Sequence, residues 1–92
     1  MSKFVYDSTI RNNVPGALSD PGQSVVCKVG RHKILVSRRE KLDKYGNPVH
    51  ISSVIGKDGI PNKPYSSNGG AQHSVAGALK KSGIGIRYRK KK

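Results

Sequence analysis

The sequence predicts an α+β fold: a small, mostly antiparallel sheet in the order β-β-β-α-β, with one short helix, an extended N-terminal arm and a basic C-terminal tail. Three observations predict it. Two runs of β-formers, 24–29 and 33–37, flank a glycine-led turn. A single stretch, 71–82, has helical spacing of small apolar residues. Residues 84–89 alternate apolar and basic side chains. The organisation expected is an arm over 1–23, a domain over 24–89 and a tail over 90–92.

In the arm, apolar alternation around Phe4 and Tyr6 gives way to Asn12-Asn13, Pro15-Gly16 and Asp20-Pro21-Gly22. Such a segment leaves hardly any room for a helix or a central strand. The arm is expected to pack on the domain or on a neighbouring subunit, and to be dispensable for folding of the rest.

The clearest local structure follows. Gly30-Arg31 between the two β runs is a two-residue turn with glycine first, the type II′ signature. That register sets Val29 against His32, Lys28 against Lys33, Cys27 against Ile34, Val26 against Leu35 and Val25 against Val36. Val25, Cys27, Ile34 and Val36 then share the core face. Residues 38–47 are mixed in sign and end in a turn at Gly46-Asn47-Pro48. Either the second strand extends into them or a charged loop interrupts it. A third strand runs from Val49 to Ile55. Residues 56–70, with Pro61, Pro64, Gly69 and Gly70, read as a long polar loop without regular structure.

The helix of 71–82 has a narrow apolar stripe of Val75, Ala76 and Leu79. Gly83 stands where a left-handed C′ residue is wanted, and Lys80 and Lys81 lie at the end of the dipole that favours cations. The Asn68-Gly69-Gly70 run before it admits two readings: a phosphate cradle at a helix start, or a linker that lets the helix dock. Beyond Gly83, Ile84, Ile86 and Tyr88 face one way, and Arg87 and Arg89 the other.

Charge narrows the functional classes. Eighteen Lys and Arg stand against five acids in 92 residues, a net charge of +13. The surplus rises along the chain: residues 1–30 are net +1, 31–58 net +4 and 59–92 net +8. Such asymmetry points to a polyanion. The expected ligand is nucleic acid, DNA or RNA, held through its phosphates without sequence specificity. The candidate contacts are Lys28, Arg31 and Lys33 at the hairpin tip, Lys80 and Lys81 on the helix, and Arg87, Arg89, Lys90, Lys91 and Lys92 at the end. Tyr45 and Tyr65, placed in turns, are candidates for stacking on unpaired bases.

The remaining chemistry is sparse. The acids form no pair, and His32, His50 and His73 fit no catalytic motif. No Cys-x-x-Cys or close histidine pair offers a metal site. The expectation is a non-enzymatic protein without cofactor or metal. The single cysteine, Cys27, has no partner for an intramolecular disulfide, which suits a reducing compartment: the cytoplasm or the inside of a virion. No apolar run suggests a signal peptide core or a membrane span. The alternative class is a structural or interaction protein, either a minor virion component or an inhibitor docking on an acidic protein surface; a Pro/Gly-rich arm suits lacing between subunits. Over seven residues, Lys44 to His50 resembles a Gly-Asn-Pro segment of small single-strand-binding proteins of filamentous phages. Gly-Asn-Pro turns occur in hairpins of many kinds, so no fold or function is drawn from it.

Overall fold

The structure, a computed structural model, describes residues 4–87. In chain order it contains β1 (Phe4–Val5), one wide helical turn (Tyr6–Ile10), β2 (Ser24–Val29), β3 (His32–Arg38), β4 (His50–Ile55), β5 (Tyr65–Ser67), α1 (Ala71–Lys81) and β6 (Ile86–Arg87). Strands β2-β3-β4-β5 form an antiparallel sheet in that order, and α1 packs across β3, β4 and β5. The fold is α+β, as the pattern of elements predicts.

The β2–β3 register is the one the turn predicts, from Ser24 opposite Ser37 to Val29 opposite His32. Cys27, Val29, Ile34 and Val36 are buried on the helix side, with Val25 packed at their margin. Each aliphatic side chain buried this fully contributes about 1.5–3 kcal/mol. Strand β3 ends at Arg38, so a charged loop fills the next stretch. Against β3, β4 turns His50, Ser52 and Val54 inward.

Two features depart from the sequence reading. The polar loop contains β5, which extends the sheet by pairing Ser52 with Tyr65, Ile51 with Ser66 and His50 with Ser67. The last described strand, β6, does not join this sheet. It pairs in parallel with β1, Phe4 opposite Ile86 and Val5 opposite Arg87.

Helix α1 has room for β5 because of Gly77. A Cβ there would collide with the Tyr65 ring, so glycine is required despite costing about 1 kcal/mol against alanine in a helix interior. The helix ends in a Schellman motif: Gly83 N–H donates to Lys80 O at 3.0 Å and Ile84 N–H to Leu79 O at 2.9 Å. Its buried face is polar at one point. Ser74 Oγ donates to Ala71 O at 2.7 Å and accepts from Ser52 Oγ at 2.6 Å, tying helix to sheet.

The described part of the arm packs on its own domain, one of the two placements expected, and its burial argues against its being dispensable for folding. Ile10, Val14 and Leu18 are all buried in the core. Backbone groups fasten them. Gly16 O accepts from Ala71 N–H at 2.9 Å, and Val14 O from the Gln72 side chain at 2.9 Å. Leu18 N–H donates to His50 Nε2 at 3.0 Å, while the Arg38 guanidinium donates to Leu18 O at 2.7 Å and Ser19 O at 3.2 Å. A histidine that accepts at Nε2 is neutral, with its proton on Nδ1. Burial, and then the Arg38 charge, lower the His50 pKa from the usual 6.5 and hold it in that form. His50 Nδ1 and Arg38 Nε are buried without a hydrogen-bond partner among the described residues.

Two outcomes follow from this packing. Ile10→Ala should cost about 2–5 kcal/mol, read from a denaturant midpoint, because it opens a cavity in the core. Unchanged stability would show that the arm is dispensable after all. Below pH 6.5 the unfolded chain takes up a proton that folded His50 resists. Stability should therefore fall as the pH drops from about 7 towards the lowered folded value. In His50→Gln that part of the slope should vanish; an identical pH profile would contradict the assignment.

Candidate functional site

The tip of the β2–β3 hairpin concentrates cations. Gly30 has φ 60°, and no non-glycine residue among those described has a positive φ. Only the first turn position is therefore left-handed, as a type II′ turn requires and a type I′ turn does not. The turn exposes Arg31, and the register sets Lys28 and Lys33 directly opposite each other, both exposed. Like charges facing across a sheet destabilise it by roughly 0.2–1 kcal/mol.

The tip does not stand alone. Arg31 and Lys33 border an open cleft of about 790 Å³ whose other walls are the turn after β4 and the segment after α1. The turn brings Lys57. It is built by Gly59 N–H donating to Gly56 O at 2.9 Å, with Asp58 Oδ1 accepting from Ile60 N–H at 3.0 Å. Ser82 and Ile84, placed by the Schellman ending of α1, close the far side. Among the described residues, no carboxylate pairs with Lys28, Arg31, Lys33 or Lys57. Lys57 was not among the sequence candidates. The Gly56–Gly59 turn was legible, but only the pairing of Lys33 with Ile55 brings it beside the tip.

The other candidates are distributed as follows. Lys80 and Lys81 are exposed on the last turn of α1, just before the wall formed by Ser82, and Lys81 Nζ donates to Pro64 O at 3.3 Å. The Arg87 backbone lies in β6. Arg89, Lys90, Lys91 and Lys92 lie outside the described residues. Tyr45 is in a turn as expected, 72% exposed, with Lys44 Nζ 5.1 Å from its ring centroid. Tyr65 is on a strand rather than in a turn, and the surface at Gly77 covers part of its ring.

Elsewhere the polar groups are engaged in holding loops. Asp43 accepts from Tyr45 N–H, Asn47 N–H and the Asn68 side chain. The Asn68 bond, then the backbone bonds, hold its carboxyl below the usual carboxylate range. At the start of α1 the Ala71 N–H is taken by Gly16 O, which docks the arm there and favours the linker reading of Asn68-Gly69-Gly70. Cys27 is buried, and burial raises its thiol pKa, which keeps it unreactive. Among the described residues, no group of three His, Cys, Asp or Glu could hold a metal ion, and no helix is long and apolar enough to cross a membrane.

No family model, curated protein or solved structure matches the chain. The site must be read from its own chemistry.

The tip depends on its turn. Gly30→Val forces a β-branched residue to φ 60° and should cost about 1–3 kcal/mol, measured as a lower melting temperature. It should also weaken any anion binding at the tip by disturbing Arg31 and the lysine pair. An unchanged melting temperature would be incompatible with this turn.

Proposed function

We propose that the protein is a small, non-enzymatic nucleic-acid-binding module that grips phosphates without reading sequence. The observation that carries the reading is the tip: Lys28 against Lys33, Arg31 on the turn between them and Lys57 across the cleft, with no carboxylate paired to any of them among the described residues. A cluster of like charges destabilises the free protein and is relieved when an anion sits among them. Spaced phosphates are a fitting anion for a linear array of Lys and Arg. The net charge of +13 supports the same reading, and Arg87, Arg89 and Lys90 to Lys92 extend the cationic sequence beyond the sheet. The single cysteine, buried and uncrosslinked, fits work in a reducing compartment, the cytoplasm or a virion interior.

A protein-contact role has one observation in its favour. Val26, 56% exposed, lies beside Leu35 on the sheet face away from the helix. The arm, which suggested lacing between subunits, spends its buried residues on its own core instead. Protein purified without nuclease separates the two readings: nucleic-acid carryover supports the first, and a discrete salt-resistant oligomer without carryover supports the second.

Binding to labelled oligonucleotides should weaken steeply with salt, with a slope of about −0.9 per phosphate neutralised on duplex and about −0.7 on single strands. About four to six contacts are expected. Lys28→Ala with Lys33→Ala should lower affinity for all sequences alike and reduce the slope by about two. Absence of binding at low salt, or binding indifferent to salt, would overturn the proposal. Full binding by the double variant would move the surface away from the tip.

A further inference from the structure

We infer that the cleft beside the hairpin tip seats an unpaired nucleobase, so that the protein prefers single-stranded nucleic acid to duplex; this rests on the nucleic-acid reading of the tip. A surface that only grips phosphates needs cations on an outward face. Here the cations surround a hollow. Arg31, Lys33 and Lys57 are exposed at its mouth, while Val54 is buried and Ile55 and Ile84 half-buried beneath them. Phosphates have no use for an aliphatic floor, but a base does, because its faces are apolar and its edge polar.

Size and edge chemistry agree. A hollow of about 790 Å³ lies within the range of small-molecule sites and has room for a base and its sugar. Asn62, exposed at the wall, offers an amide donor and acceptor to a base edge, and Ser82 a hydroxyl. Arg31, Lys33 and Lys57 border the same cleft, so a base seated there brings its flanking phosphates within their field. A base held in a duplex is paired and stacked and cannot enter, whereas a base in a single strand turns out at little cost. Among the described residues the lining has no Phe, Tyr or Trp and one aromatic ring, that of His32, so the base is held chiefly by aliphatic contact. Discrimination among the four bases should therefore be slight.

The inference makes a demand that charge alone does not. Duplex DNA has the denser line of phosphates, so a purely electrostatic surface favours it. The test compares three fluorescent probes of equal length at low salt by anisotropy: an oligothymidine of about eight residues, an oligomer of abasic sugars with the same phosphates, and a duplex. An oligouridine repeats the first arm with RNA. The oligothymidine should bind about five- to tenfold more tightly than the abasic strand, the effect of burying one base. It should also bind more tightly than the duplex. Asn62→Ala, an exposed change, should narrow the gap between thymidine and abasic strands while leaving abasic affinity unchanged. Equal binding of thymidine and abasic strands, tighter binding of duplex, or an undiminished gap in Asn62→Ala would each overturn the base-seating inference and leave phosphate binding standing. Failure of all probes to bind at low salt would overturn both.

Discussion

The structure depends on the inner face of β4, where polar side chains are turned into the core. His50 and Ser52 occupy positions that a simpler sheet would fill with valine or isoleucine. A buried polar group without a partner costs roughly 1–3 kcal/mol, so each must be answered. Ser52 is answered by Ser74, which sets the helix on the sheet. His50 is answered at Nε2 by the backbone of Leu18, which sets the arm beside it, while its Nδ1 has no partner among the described residues. Each of the two largest pieces outside the sheet thus has one of its hydrogen bonds to this strand. The apolar contacts of Ile10, Val14, Leu18, Val75 and Leu79 supply most of the stabilisation. The polar pairs make the arrangement unique.

Arg38 completes this arrangement. It stands opposite His50 in the register and holds the carbonyls of Leu18 and Ser19. Its charge is met by backbone dipoles and, among the described residues, by no carboxylate. The same economy holds elsewhere: Asp43 and Asp58, two of the chain's few acids, accept from backbone N–H groups of their own turns. Bound within their own turns, these acids form no ion pair with the tip cations among the described residues.

Much of the fold was legible because local rules and burial agree. Val25, Cys27, Ile34 and Val36 fix a core face, the glycine-led turn fixes the register, and Gly83 fixes the end of the helix. What was missed had weak or divided signals. Strand β5 sits just after Pro64 among serines, and no apolar alternation marks it; tertiary pairing with β4 makes it a strand. The arm did contain a sign, since Ile10, Val14 and Leu18 recur every four residues, but Pro15-Gly16 between them argued against a helix and hid the periodicity. The site was legible in its tip and not in its cleft. Lys28, Arg31 and Lys33 are neighbours through the hairpin, whereas Lys57, Asn62 and Ile84 reach them only through β4 and the end of α1.

The parallel pairing of β1 with β6 joins residues from opposite ends of the sequence. It is two residues long and separate from the main sheet. Short pairings between distant segments close late in folding, since they bear the whole loop-closure entropy for few bonds. They also open first. The amides of this pair should belong to a low-energy opening unit in hydrogen exchange, distinct from the hairpin and helix, and one such opening releases β1 and β6 together. Two segments far apart in sequence are therefore coupled in their opening, independently of the sheet that carries the hairpin.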